Sequence, residues 1–127
     1  KRIATNVTRQ TDPTAFKGDY LQQRIFVTDL DKDKKKEVIV VKNHDAVGGV
    51  FRRYRSYNGG HFEALVWDNV GFRKKWKTRK FTGYISDYDV GDFDNNGTDE
   101  LVFALVVKTE SAFREPRSHI VSWSLTN

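Results

Sequence analysis

The stretch "DVGDFDNNGTDEL" (residues 89–101) sets Asp92, Asp94, Asn96 and Glu100 around Gly97, between two apolar runs. A second stretch, "DLDKDKKKEVIVV" (29–41), aligns without a gap to "DFDNNGTDELVFA" (92–104). Asp29 matches Asp92, Asp31 matches Asp94, Asp33 matches Asn96 and Glu37 matches Glu100, always 63 residues apart. An internal repeat constrains a fold strongly, because each copy must form the same supersecondary unit. Each loop follows a strand-like segment, "RIFVT" (24–28) or "GYISDYDVG" (83–91), and precedes an apolar run, Val38–Val41 or Leu101–Val107. Short apolar, β-branched runs beside a turn read as buried strands, so each acidic loop reads as the connection of a β-hairpin.

The rest of the chain extends these hairpins. Within "VFRRYRSYNGGHFEALVWDN" (50–69), Asn58-Gly59-Gly60 reads as another hairpin turn, since these residues accept positive φ and aromatic-rich runs flank them. "SHIVSWSL" (118–125) falls where the third strand of the second unit belongs, and no fourth follows it. The expected fold class is all-β: antiparallel four-stranded blades of a β-propeller, about two blades in an incomplete ring. The boundaries read as an N-terminal segment (1–19), whose "RIATNVTR" could complete a blade, a first blade (20–83) and a second, incomplete blade (84–127). Two blades cannot close a ring. The expectation is therefore a piece of a longer propeller, or a subunit that pairs strands or blades with another chain. The start on Lys1 and the lack of any methionine favour a processed or excised piece.

Composition narrows the function classes. There is no cysteine, which removes disulfide frameworks and thiolate metal sites. No apolar run is long enough for a transmembrane helix, and no secretory leader is present in the sequence. The formal charge is +5, from 22 basic and 17 acidic residues, and the excess lies mainly in Lys32–Lys36 and Arg73–Lys80. Such an excess permits anionic partners without requiring one.

The acidic loops carry the clearest chemistry. Calcium takes six to eight oxygen ligands, and a tight loop can aim its first, third and fifth side chains at one point. A glycine at position six permits the bend, the residue at seven offers its carbonyl, and an acid at nine closes the set. The second loop supplies Asp92, Asp94, Asn96, Gly97, Thr98 and Glu100 in those places, with a net charge of −4 over 92–100. An EF-hand shares the opening spacing but needs a glutamate at position twelve and flanking helices. Position twelve is Phe103 in one loop and Val40 in the other, so the EF-hand reading fails.

On these residues the chain resembles the FG-GAP/VCBS repeat family, whose blades carry a D-x-D-x-[DN]-G-x-x-[DE]-hydrophobic loop. "DFDNNGTDEL" (92–101) matches that pattern fully, and "DLDKDKKKEV" (29–38) matches except that Lys34 replaces the glycine. The resemblance spans roughly residues 20–125. It implies a calcium-bound propeller of the integrin-α type, found in bacteria on exported, periplasmic or surface proteins, that binds or scaffolds and does not catalyse. Asp92, Asp94, Asn96, Thr98 and Glu100 are then the expected calcium ligands. Asp29, Asp31, Asp33 and Glu37 form a degenerate loop. There Lys32, Lys34, Lys35 and Lys36 cancel the acids, and calcium is expected to bind weakly or not at all.

The remaining features have plainer readings. On a strand, "FRKKWKTRKF" (72–81) would put Arg73, Lys75, Lys77 and Arg79 on one face, as an anion-binding stripe or, more simply, an edge protected from pairing. "FRRYRSY" (51–57) reads as strand packing with snorkelling arginines, and Trp67 and Trp123 as blade-packing residues. His44, His61 and His119 show no metal-ligand spacing, and no nucleophile or phosphate-loop motif is present. Asn6-Val7-Thr8 and Asn96-Gly97-Thr98 fit a glycosylation sequon, the second within the proposed metal loop. The expected partner is a protein or a glycan rather than nucleic acid. The alternatives are a propeller-based enzyme or lectin whose groove lies outside this segment, and an accessory subunit of a larger surface assembly.

Overall fold

Alternation of inward and outward side chains favours antiparallel sheet on both sides of each acidic loop. The computed structural model describes residues 3–4, 20–21, 23–45, 57–107 and 115–125. These hold nine strands and no helix. Strands β1 (Ile3–Ala4) and β2 (Tyr20–Leu21) pair with each other as a separate short ribbon. Sheet one contains β3 (Phe26–Thr28), β4 (Glu37–Asp45), β5 (Tyr57–Trp67) and β6 (Phe72–Lys77), side by side in chain order. Sheet two contains β7 (Tyr84–Gly91), β8 (Glu100–Val107) and β9 (Arg117–Trp123), again in chain order. All neighbours in both sheets are antiparallel. The acidic loops connect β3 to β4 and β7 to β8, as the hairpin reading expects.

The two sheets share one core. Ile39 and Phe62 from sheet one and Ile85, Leu101 and Phe103 from sheet two are almost fully excluded from solvent. Aromatic rings join them: Phe62 lies 5.0 Å from both Tyr88 and Phe103, and Phe103 lies 4.8 Å from Phe81. Edge-to-face and tilted contacts of this kind add roughly 0.5–1.5 kcal/mol each to simple burial. Polar groups also bridge the sheets. The Asn43 side chain both accepts from Ile85 N and donates to Ile85 O, each at 2.9 Å, and the Tyr88 hydroxyl donates to Ile39 O at 2.6 Å.

Three sequence expectations are corrected here. Asn58-Gly59-Gly60 is no turn: it lies inside β5, and the turn that follows β5 is Asp68–Gly71. The glycines serve close approach. A Cβ on Gly60 would come within 2.6 Å of Asn43 Oδ1, and one on Gly59 within 2.9 Å of Phe81 O. Their bareness lets residues 80–81 dock against β5, where Gly60 and Phe81 exchange both backbone hydrogen bonds.

The basic stretch does not keep strict alternation either. Ala64 pairs with Trp76 and Leu65 with Lys74, so Lys75 is the extra residue of a β-bulge, aimed differently from its neighbours. Trp67 does not pack a blade: it is 60% exposed and touches Phe72 edge-on, whereas Trp123 does pack, against Trp76. Of segment 1–19, only Ile3–Ala4 is described, and it pairs with β2. Residues 51–56 and the Asn6 sequon lie outside the described residues.

Candidate metal centre

The two acidic loops have the same backbone. Lys32 and Lys34 have φ of 59° and 69°, and their counterparts Asn95 and Gly97 have 62° and 83°. Four hydrogen bonds recur at matched positions. Glu37 Oε2 accepts from Leu30 N at 3.1 Å, and Glu100 Oε2 from Phe93 N at 3.1 Å. Asp29 Oδ2 accepts from Lys34 N at 2.8 Å, and Asp92 Oδ2 from Gly97 N at 2.9 Å. Asp31 and Asp94 each accept from the amide two residues on, as do Asp33 and Asn96. These bonds fix the loop acids against the backbone, and Asp92 accepts with both oxygens, from Asn96 N and Gly97 N, each at 2.9 Å.

The sequence-derived ligands therefore converge. In loop one, Asp29, Asp31, Asp33 and Glu37 each bring a carboxylate oxygen within 4.8 Å of the others, and in loop two Asp92, Asp94 and Glu100 do the same. The ninth-position acids are the deeply placed members, with Glu37 0% and Glu100 3% exposed. A buried carboxylate is costly unless it is paired, so what faces each one decides the loop's chemistry.

The two loops differ at their centres. In loop one, Lys75 reaches over from the bulge of β6, and its ammonium lies 2.5 Å from Asp31, 2.7 Å from Asp33 and 2.9 Å from Glu37. Burial works against the Lys75 charge, but these three hydrogen bonds outweigh it and hold the ammonium pKa above the ordinary lysine value. The Lys75 bond likewise lowers the Asp33 pKa, with help from the Lys35 amide. The ion pairs to these carboxylates thus come from a residue 38 positions beyond Glu37, while within the loop the Lys35 charge adds a smaller pull on Asp33. Lys32 instead donates to Gly97 O at 2.9 Å, tying one loop to the other.

Loop two has a neutral group in the corresponding place. Asn96 Nδ2 donates to Asp94 Oδ2 at 2.9 Å and Glu100 Oε1 at 3.3 Å, the counterparts of two atoms that Lys75 holds. Among the described residues, no lysine or arginine forms an ion pair with Asp92, Asp94 or Glu100. Hard oxygen donors of high negative charge such as Asp92, Asp94 and Glu100 could hold a metal cation. One adjustment is needed. The Asn96 amide must turn over so that its oxygen, now bonded to Thr98 N at 2.8 Å, faces inward.

A second polar cluster escaped the sequence reading. His44 Nε2 lies 2.7 Å from His61 Nδ1, and His61 Nε2 lies 3.1 Å from Glu63 Oε1. Lys42 lies 2.9 Å from the other Glu63 oxygen. The Lys42 hydrogen bond, aided by His61 and opposed by burial, lowers the Glu63 pKa to about 2. Burial, then His61 and the nearby lysines, lowers the His44 pKa. The signal was the β4–β5 register, which pairs Lys42 with His61. Reading Asn58-Gly59-Gly60 as a turn hid it. His119 is exposed on β9, apart from this pair.

Compared with protein-family models, curated proteins and solved structures, the chain gives no significant match.

Proposed function

We propose that this chain is a calcium-stabilised β-repeat module, built from propeller-type blades of the FG-GAP/VCBS kind, that acts in binding or assembly and not in catalysis. The observation that carries this reading is the duplicated loop: left-handed φ at the same two positions and matched hydrogen bonds on two copies of one acidic pattern. Asp92, Asp94, Asn96, Thr98 and Glu100 would hold the ion, and its role is to neutralise the loop and fix the β7–β8 connection. Extracellular modules of this chemistry bind calcium at roughly 10⁻⁴–10⁻³ M, which suits an exported protein with a protein or glycan partner.

The test is a thermal melt with and without calcium. A ligand at a hundred times its Kd stabilises by about 2.7 kcal/mol, or roughly 8–15 °C in Tm for a chain of this size. Glu100→Gln should abolish the rise. A Tm unchanged by 10–100 mM calcium, given as roughly a hundred times that Kd range, would refute the metal role.

A further inference from the structure

We infer that Lys75 is the permanent, covalently attached cation of loop one, so that loop one is a former metal site closed by its own chain and any ion response is confined to loop two. This rests on reading the loops as ion-binding turns, but not on loop two holding calcium.

Three independent observations lead to it. First, the loops share a backbone, so their difference lies in what faces the acids, not in how they fold. Second, the Lys75 ammonium contacts one oxygen of each of three carboxylates, two at the positions that Asn96 Nδ2 spans in loop two. A bulge delivers it. Lys75 has no partner opposite it on β5, and that extra residue re-aims its side chain over the loop. Third, the ammonium does not satisfy the whole set: Asp29 Oδ1 is buried with no hydrogen-bond partner. A lysine has three donors and no more, and here they go to Asp31, Asp33 and Glu37. A divalent ion takes six or more oxygens and would engage the fourth carboxylate as well. The orphaned oxygen marks a donor set larger than the cation that now fills it.

The device gives the two sheets different dependence on their surroundings. The cation of loop one cannot dissociate, so the β3–β4 connection is insensitive to chelators. Lys75 also ties β6 to the far end of its sheet across β5, a link that no free ion would make.

Terbium, which replaces calcium on oxygen ligands and is sensitised by nearby tryptophan, is the probe on the intact chain, with calcium as competitor. Lys75→Met keeps the length and removes the charge. The variant should gain one terbium site over the wild type, with calcium competing in the roughly 10⁻⁴–10⁻³ M range. Adding Asp31→Ala should remove the gained site. No gain in a folded Lys75→Met protein overturns the inference. A second measurement is amide exchange of the wild type and of Glu100→Gln with calcium or with chelator. Unchanged protection over residues 31–37 supports the closed loop, and calcium-dependent protection there that persists in Glu100→Gln, where loop two cannot relay it through the Lys32–Gly97 bond, overturns it. Loop two is scored separately at residues 94–100, so a loop two without calcium refutes the proposed function and leaves this inference to its own result.

Discussion

Lys34 holds the left-handed backbone that Gly97 holds in the sister loop, with φ of 69° against 83°. For a residue with a Cβ that conformation costs roughly 1–2 kcal/mol. Glycine removes the cost, but loses more backbone entropy on folding, roughly 0.5–1 kcal/mol. Lys34→Gly should therefore stabilise the protein by about 0.5–1 kcal/mol, read as a higher urea midpoint at unchanged slope. A lower midpoint would show that Lys34 makes a compensating contribution of its own. The sequence makes the substitution visible as a broken motif position. It does not show that the chain keeps the strained bend, because that depends on the loop's hydrogen bonds. Asp29 Oδ2 accepts from Lys34 N, just as Asp92 Oδ2 accepts from Gly97 N, and this bond holds both bends.

Strands β5 and β6 show how pairing register creates chemistry that spacing hides. Glu63 is 6% exposed on β5, yet faces Lys42 from β4, Lys74 from β6 and His61 from its own strand. Its carboxyl pKa falls from 4.5 to about 2, chiefly through Lys42. The folded value lies below the unfolded one, so the contribution is complete above pH 4.5 and is lost as the pH falls toward 2. It amounts to at most about 3 kcal/mol, reduced by solvent around the half-exposed lysines. Glu63→Gln should flatten the acid limb of the stability profile between those pH values. An acid limb of unchanged steepness would place the titrating carboxylate elsewhere. The same two strands account for the misread turn and the misread basic face. Sequence periodicity assumes an unbroken strand, whereas glycines chosen for close approach and a bulge at Lys75 both depart from it.

Across the whole molecule, the sheets are joined by the aromatic core and by a few directed polar bonds. Asn43→Ala removes the acceptor of Ile85 N, while the Ile85 carbonyl keeps Gln23 as a donor at 3.1 Å. One stranded amide costs roughly 1–3 kcal/mol. Tyr88→Phe removes a donor but strands no donor of its own, and should cost about 1 kcal/mol. Urea unfolding of both variants tests the order, and a larger loss for Tyr88→Phe would reverse it. By itself, the sequence determined the β class, the duplicated hairpins and the acids of both loops. Those are local matters of side-chain alternation and fixed spacing along one stretch of chain. What faces the acids of each loop, an ammonium in one and a neutral amide in the other, was settled by folding. Lys75 comes from another strand and is aimed by a bulge, and a buried carboxylate takes its charge balance from whatever folding brings within about 3 Å, the reach of a charge-assisted hydrogen bond.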